Sequence, residues 1–199
     1  MAKENNKLYI PDEFLEYISR IHLDLQFHFK VTRRRLTKAG DYRYNPRTGS
    51  HTITINENLN QWAFLVTYLH EVAHMKVQLN YGSGLKHHGE EWKAEFRKLL
   101  LPVISSGHVP DNLVGALAAY ARNPKASSWS DPRLARALQE FDEYGGTQLY
   151  DLDHGVSFRF KGQSYTMMEK RRTRALCMHE LSQRRYLISM AAVVEIENN

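Results

Sequence analysis

The chain has 199 residues, 42% of them hydrophobic and 25% charged, and its 27 lysines and arginines against 22 acids leave a net charge of +5. These are ordinary globular proportions, and with 11 glycines and 6 prolines they exclude a disordered, collagen-like or linker-dominated chain. One cysteine, Cys177, excludes an internal disulfide framework and a cysteine-only zinc site.

The opening MAKENNKLYIPDEF lacks the apolar run of a signal peptide, and no stretch approaches 18 apolar residues. The expectation is a soluble, cytoplasmic protein with no membrane partner, free to associate with a nucleoid. Pro11 suits a first helical turn, and Phe14, Ile18, Ile21 and Leu25 recur at helical spacing. Phe27, Phe29 and Val31 then alternate as in a strand. Turn residues at 39–41 and 45–49 bracket Tyr42 and Tyr44, and the β-branched run His51–Asn56 follows. A short β-meander of about three strands is predicted here. Residues 61–80 return to helical periodicity, ended by Gly82 and Gly84, and a second helix over 89–101 is expected to stop at Pro102. Helices over about 111–121 and 131–143 precede Gly145-Gly146, and five short strand patterns lie between Val156 and Ile196. The predicted class is α+β. Residues 1–146 form the larger domain with its helical extension, and 147–199 a small β module.

Charge is concentrated in that module. Residues 159–187 hold eight basic side chains and two acids, a local +6, so the remaining residues sum to −1. Lys170, Arg171, Arg172, Arg174, Arg184 and Arg185 are the candidate nucleic-acid contacts, because clustered cations displace counterions from a phosphate backbone. Solvated strand edges that deter aggregation are the plainer reading. A second cluster, Lys30, Arg33, Arg34, Arg35 and Lys38, contains no acid.

The chemistry is carried by His70-Glu71-Val72-Ala73-His74, inside the 61–80 helix. Residues four apart share a helix face, so both imidazoles can reach one ion. The neighbouring Glu71 can hold a water and take its proton, which makes this an H-E-x-x-H zinc pattern with glutamate as general base. A catalytic zinc needs a third protein ligand. His88 is preferred, with His87, Glu95 and Glu91 as alternatives. Val77 and Asn80 stand where metzincins have glycine and histidine, which excludes that class. Tyr42, Arg43 and His51 are candidate oxyanion helpers, and His108, His154 and His179 are expected on the surface.

HEVAH, then thirteen residues, then His88-Gly89-Glu90-Glu91-Trp92-Lys93 resembles the SprT-like zinc metallopeptidases. The stretches Thr32–Leu36, Gly40–Arg43 and His51–Asn56 are similar to that family's short strands, and the resemblance spans roughly residues 10–102. It implies a minigluzincin-like body, zinc on His70, His74 and His88, Glu71 as catalytic base, and a protein substrate bound or crosslinked to DNA. Many members carry a four-cysteine zinc ribbon after the protease; Cys177 alone cannot build one. The rival reading is a nucleic-acid-binding protein whose metal site is only structural.

Overall fold

The structure, a computed structural model, describes residues 9–35, 37–125, 127–142, 147–190 and 192–197. A 3-10 turn at Asp12–Phe14 leads into helix α1 (Leu15–Leu25), which ends where Gln26 adopts a left-handed backbone at φ 48°. Three strands follow: β1 (His28–Thr32), β2 (Gly40–Asn45) and β3 (Ser50–Asn56). Their order is β1-β3-β2, with β1 parallel to β3 and β2 antiparallel on the open edge.

The expected meander is therefore corrected to a mixed sheet. Strand β2 pairs on the far side of β3 from β1, and polar side chains tie the described residues before it to the end of β3. Buried Asn56 donates its amide to the carbonyls of Arg35 (3.1 Å) and Lys38 (2.9 Å), while Arg35 donates to Asn56 Oδ1 (2.7 Å) and Thr54 Oγ1 (2.9 Å). Arg35, read in sequence as part of a basic cluster, is thus a structural clamp. The alternation signal marked the strands but said nothing of this long-range network.

Helix α2 (Gln61–Tyr81) is the axis of the body. Trp62 to Leu69 and Val72, Ala73 and Met75 are buried, so the helix is apolar nearly all round and is enclosed rather than laid on a surface. Asn60 caps it by accepting from the Ala63 N–H (2.9 Å), and its amide donates to Leu138 O (2.8 Å). Helix α3 (Glu90–Ile104) packs against α2, followed by α4 (Asp111–Arg122) and α5 (Pro132–Gln139). Pro102 does not stop α3, which runs on to Ile104. In the last turn a proline removes one hydrogen bond, and the helix still closes with Ser105 N–H to Leu101 O (2.9 Å).

The remaining strands, β4 (Thr147–Gln148), β5 (Ser157–Phe160), β6 (Gln163–Lys170), β7 (Arg174–His179), β8 (Arg185–Ser189) and β9 (Val193–Ile196), form one sheet of order β4-β9-β5-β6-β7-β8. It has its own buried cluster, with Phe158, Met167, Cys177 and Ile188 among its members, separate from the cluster around α2. Cys177 is a packing residue whose thiol burial pushes up to about 11. The Gly145-Gly146 boundary lies outside the described residues. Among the described residues, no helix is long and apolar enough to cross a membrane.

Candidate metal centre

The helical repeat stacks His70 and His74 on one face of α2, bringing their Nε2 atoms to 3.2 Å. The chain then reverses through Gly82 and Gly84, both at positive φ, and returns His88 just before α3. His88 Nε2 lies 3.1 Å from His74 Nε2 and 3.3 Å from His70 Nε2. Three imidazole nitrogens in so tight a triangle cannot all satisfy one another, since each neutral ring offers one donor at most. A tetrahedral ion about 2.0–2.1 Å from each nitrogen calls for nitrogen–nitrogen edges of roughly 3.3 Å. The cluster therefore fits a metal ion better than it fits a hydrogen-bond network, and it is the group of side chains able to hold one among the described residues.

The electrostatics agree. Burial lowers His70 well below the ordinary imidazole range, helped by the charges of His74 and His88. Burial first, then His88 and His87, pushes His74 down to about 3, and burial with His87 lowers His88. All three rings stay neutral near pH 7, with lone pairs free for a cation. Beneath them lies Trp92, fully buried, whose ring centroid is 4.6 Å from His70, 5.4 Å from His74 and 4.7 Å from His88. Its Nε1 donates to His70 O (3.4 Å), and its other neighbour, Phe96, stacks on it at 5.1 Å. In sequence the tryptophan is only an aromatic in the stretch that follows His88; as the floor under three imidazoles it depends on the His88 reversal.

Glu71 is 7% exposed, and its carboxylate accepts from the Tyr42 backbone N–H on β2. Burial first, then the Asp41 charge, pushes its carboxyl up to about 8 against the opposing influence of Arg35, Tyr42 N–H and Lys38. The approach of β2 to α2 is possible because residue 40 is glycine. A Cβ there would lie 2.6 Å from Glu71 Oε1 and 2.7 Å from Thr67 Cγ2. In sequence Gly40 reads as turn chemistry; its role as the slot for Glu71 appears only when strand and helix meet.

The alternative third ligands sit elsewhere. Glu95 is buried but paired with Lys98 (2.8 Å) and Lys76 (3.4 Å), and His87 and Glu91 lie outside the nitrogen cluster. Of the oxyanion candidates, Tyr42 and His51 are bonded to each other (2.8 Å), and Arg43 pairs with Asp41 (2.7 Å). His108 and His154 are exposed, while half-buried His179 bonds Ser182 (2.8 Å) and Gln163 (3.0 Å).

Comparison with protein-family models matches residues 11–103 to the SprT-like family. Over that segment the chain is similar to the SprT-like family. No curated protein and no solved structure matches the chain. The SprT-like segment contains α1, the mixed sheet, α2 and nearly all of α3, and with them the whole histidine cluster and Glu71. A cavity of about 170 Å³ beside Glu71 is bounded on one side by that segment and on the other by Ser127, Ser128 and Trp129, which lie beyond it.

The six basic residues of the β module are all exposed, but the fold separates them. Lys170, Arg171, Arg172 and Arg174 gather at the β6–β7 turn, whereas Arg184 and Arg185 lie at the other end of β7. Six strand residues put about 20 Å between the groups. Lys170 donates to Tyr150 O (2.8 Å) and Arg171 pairs with Glu169 (3.3 Å), so Arg172, Arg174, Arg184 and Arg185 are the freer charges.

Proposed function

We infer that the protein is a zinc-dependent endopeptidase acting on proteins, with DNA-associated or DNA-crosslinked proteins as its substrates. The observation that carries the reading is the buried carboxylate of Glu71, held by a backbone N–H beside three converging neutral imidazoles. Zinc suits an all-imidazole set at cellular availability, and when bound it supplies a Lewis acid that polarises a carbonyl and acidifies water. His70, His74 and His88 would hold it, leaving a fourth position open.

Glu71 takes the proton of the attacking water and returns it to the leaving nitrogen, so the C–N bond breaks as a neutral amine departs. Burial favours this role, because a carboxyl pushed toward neutral pH both accepts and releases a proton readily. Strand β2 orients the substrate. Its alternation against β3 turns the backbone groups of Gly40, Tyr42 and Tyr44 to the open edge, and with Tyr42 N–H occupied by Glu71 the rest can pair with an extended peptide. An extended chain passing along an edge favours cleavage within a polypeptide rather than at its end.

Support for the DNA association is the exposed basic pair of sites on the module. Binding to single-stranded DNA should weaken steeply with salt, and changing Arg172, Arg174, Arg184 and Arg185 to glutamine should flatten that dependence. The deciding experiment is hydrolysis of a DNA-bound protein by the wild type and by Glu71→Gln. The variant should retain metal and fold while losing roughly 10²–10⁴-fold in rate. Equal rates would refute the assignment, and a metal-loaded wild type that hydrolyses nothing would favour the structural-metal alternative.

A further inference from the structure

The cavity beside Glu71 has a wall built from sequence that the SprT-like segment does not supply. Thr37, Gly40, Thr67 and Glu71 form its inner side, and Ser127, Ser128 and Trp129 close the other. That outer wall is anchored from several directions. Ser127 Oγ accepts from Trp129 N–H (3.2 Å), Tyr120 donates its hydroxyl to Lys125 O (2.8 Å), and Lys125 pairs with Asp131 (3.0 Å). Asp131 in turn caps α5 by accepting from Leu134 N–H (3.2 Å), and Trp129 packs against the main core. A wall fixed at both ends is preformed before any substrate arrives, which lowers the ordering cost of binding.

Its chemistry is unusual for a pocket beside a metal centre. Trp129 is the one large apolar side chain lining it among the described residues; apart from Lys38, His70 and Glu71, which bring ionisable groups to the metal side, the rest are small or bear hydroxyls. Exposed Thr37 and buried Ser128 bring hydroxyls to the lining, groups that can both donate to and accept from an incoming side chain. At about 170 Å³ the space is near the size of an engineered cavity of roughly 150 Å³ that holds a single benzene. The hydroxyls, though, reward a side chain that can hydrogen-bond and penalise a ring that leaves them unpaired.

We propose that this cavity is the subsite for the substrate side chain flanking the scissile bond, and that Ser128 and Trp129 make it select short hydrogen-bonding side chains (serine, threonine, asparagine, glutamine) over large apolar ones. The proposal rests on the peptidase reading for its place in catalysis, but the recognition itself needs only the metal and the pocket. It assigns to the helical extension a share of the active site: the family segment would supply the chemistry, and the following loop the choice of substrate.

The test uses the full-length, zinc-loaded protein in two parallel readouts. In the first, cleavage products of a mixed peptide library are sequenced by mass spectrometry. Wild type should show about tenfold enrichment of the four polar residues at one position flanking the cut, the scale of one net hydrogen bond. Trp129→Ala should admit phenylalanine and leucine there, and Ser128→Ala, which keeps the wall, should lose several-fold of the polar preference without admitting aromatics. In the second, short peptide hydroxamates differing only in a serine or phenylalanine side chain are bound to each variant and their affinities measured. Wild type should prefer the serine compound and Trp129→Ala should reverse the order. Profiles and affinity ratios identical across the three proteins would overturn the proposal. If no variant cleaves, the peptidase reading falls, and the hydroxamate ratios alone uphold or overturn the pocket.

Discussion

At the scale of single residues, the centre depends on contacts too close for substitution. Gly40 has no side chain because Glu71 and Thr67 occupy the space where one would be. Gly40→Ala forces the strand or the carboxylate to move. An overpacked site of this kind costs about 1–3 kcal/mol, and a displacement near 1 Å at a reacting group can cost roughly 10²-fold in rate. The expected result is a protein that binds metal with reduced turnover and a lowered urea midpoint; unchanged turnover would show that Glu71 tolerates the shift. Asp41 offers a pH test on the same strand. Burial raises its carboxyl, but hydrogen bonds and charge from Lys38 (2.9 Å) and Arg43 (2.7 Å) outweigh that and leave it below its ordinary 3.8. A depressed carboxylate stabilises the fold above its unfolded value and loses that contribution as pH falls through its folded value. Wild type should therefore exceed Asp41→Asn in stability at pH 7, and the gap should close in acid below the ordinary value. A gap independent of pH would contradict the account of this ion pair.

At the scale of elements, α2 and α3 form one device. The first presents two imidazoles and Glu71, and the second brings Trp92 under them as the His88 reversal closes the ring. Trp92→Ala should destabilise the protein by about 3–5 kcal/mol, as large-to-small core changes do. Trp92→Phe should keep most of the stability while loosening the metal. His88→Ala should weaken zinc affinity by more than the roughly 10–100-fold typical of an outer-shell partner, while Glu95→Gln, whose carboxylate is engaged by two lysines, should leave zinc stoichiometry unchanged. Loss of zinc in Glu95→Gln would reassign the third ligand. Much of this was legible in the sequence. Period 3.6 marked α2 and the face shared by His70 and His74, and period 2 marked the strands. What periodicity does not carry is pairing. The β1-β3-β2 order depends on Asn56 and Arg35 reaching across some twenty residues of chain, and Gly40 acquires its meaning only against Glu71. His88 could be ranked above His87 by its neighbours, but its nitrogen joins the triangle through the turn geometry of Gly82 and Gly84.

At the scale of the whole molecule, two separately packed units meet along a seam where Arg136 sits over the Tyr150 ring (5.5 Å) and within 3.9 Å of Asp151. The +6 segment that stands out in the sequence becomes two exposed sites about 20 Å apart at opposite ends of β7. A partner with charge along its length would meet both, one with a compact charge only one. Removing the basic residues at either end alone should therefore weaken binding to long single-stranded DNA by less than removing both, and a loss confined to one end would contradict engagement of the pair. The candidate metal centre and the concentrated charge lie in different units, and the helical extension also walls the cavity beside Glu71. The central claim is that a single ion on His70, His74 and His88 works with Glu71. Its most direct test is titration of zinc into chelator-treated protein while peptide-bond hydrolysis is followed. The rate should rise linearly to a plateau at about one equivalent per chain, with Glu71→Gln binding the same equivalent and staying flat. Hydrolysis that survives chelation, or a Glu71→Gln curve that follows the wild type, would contradict it.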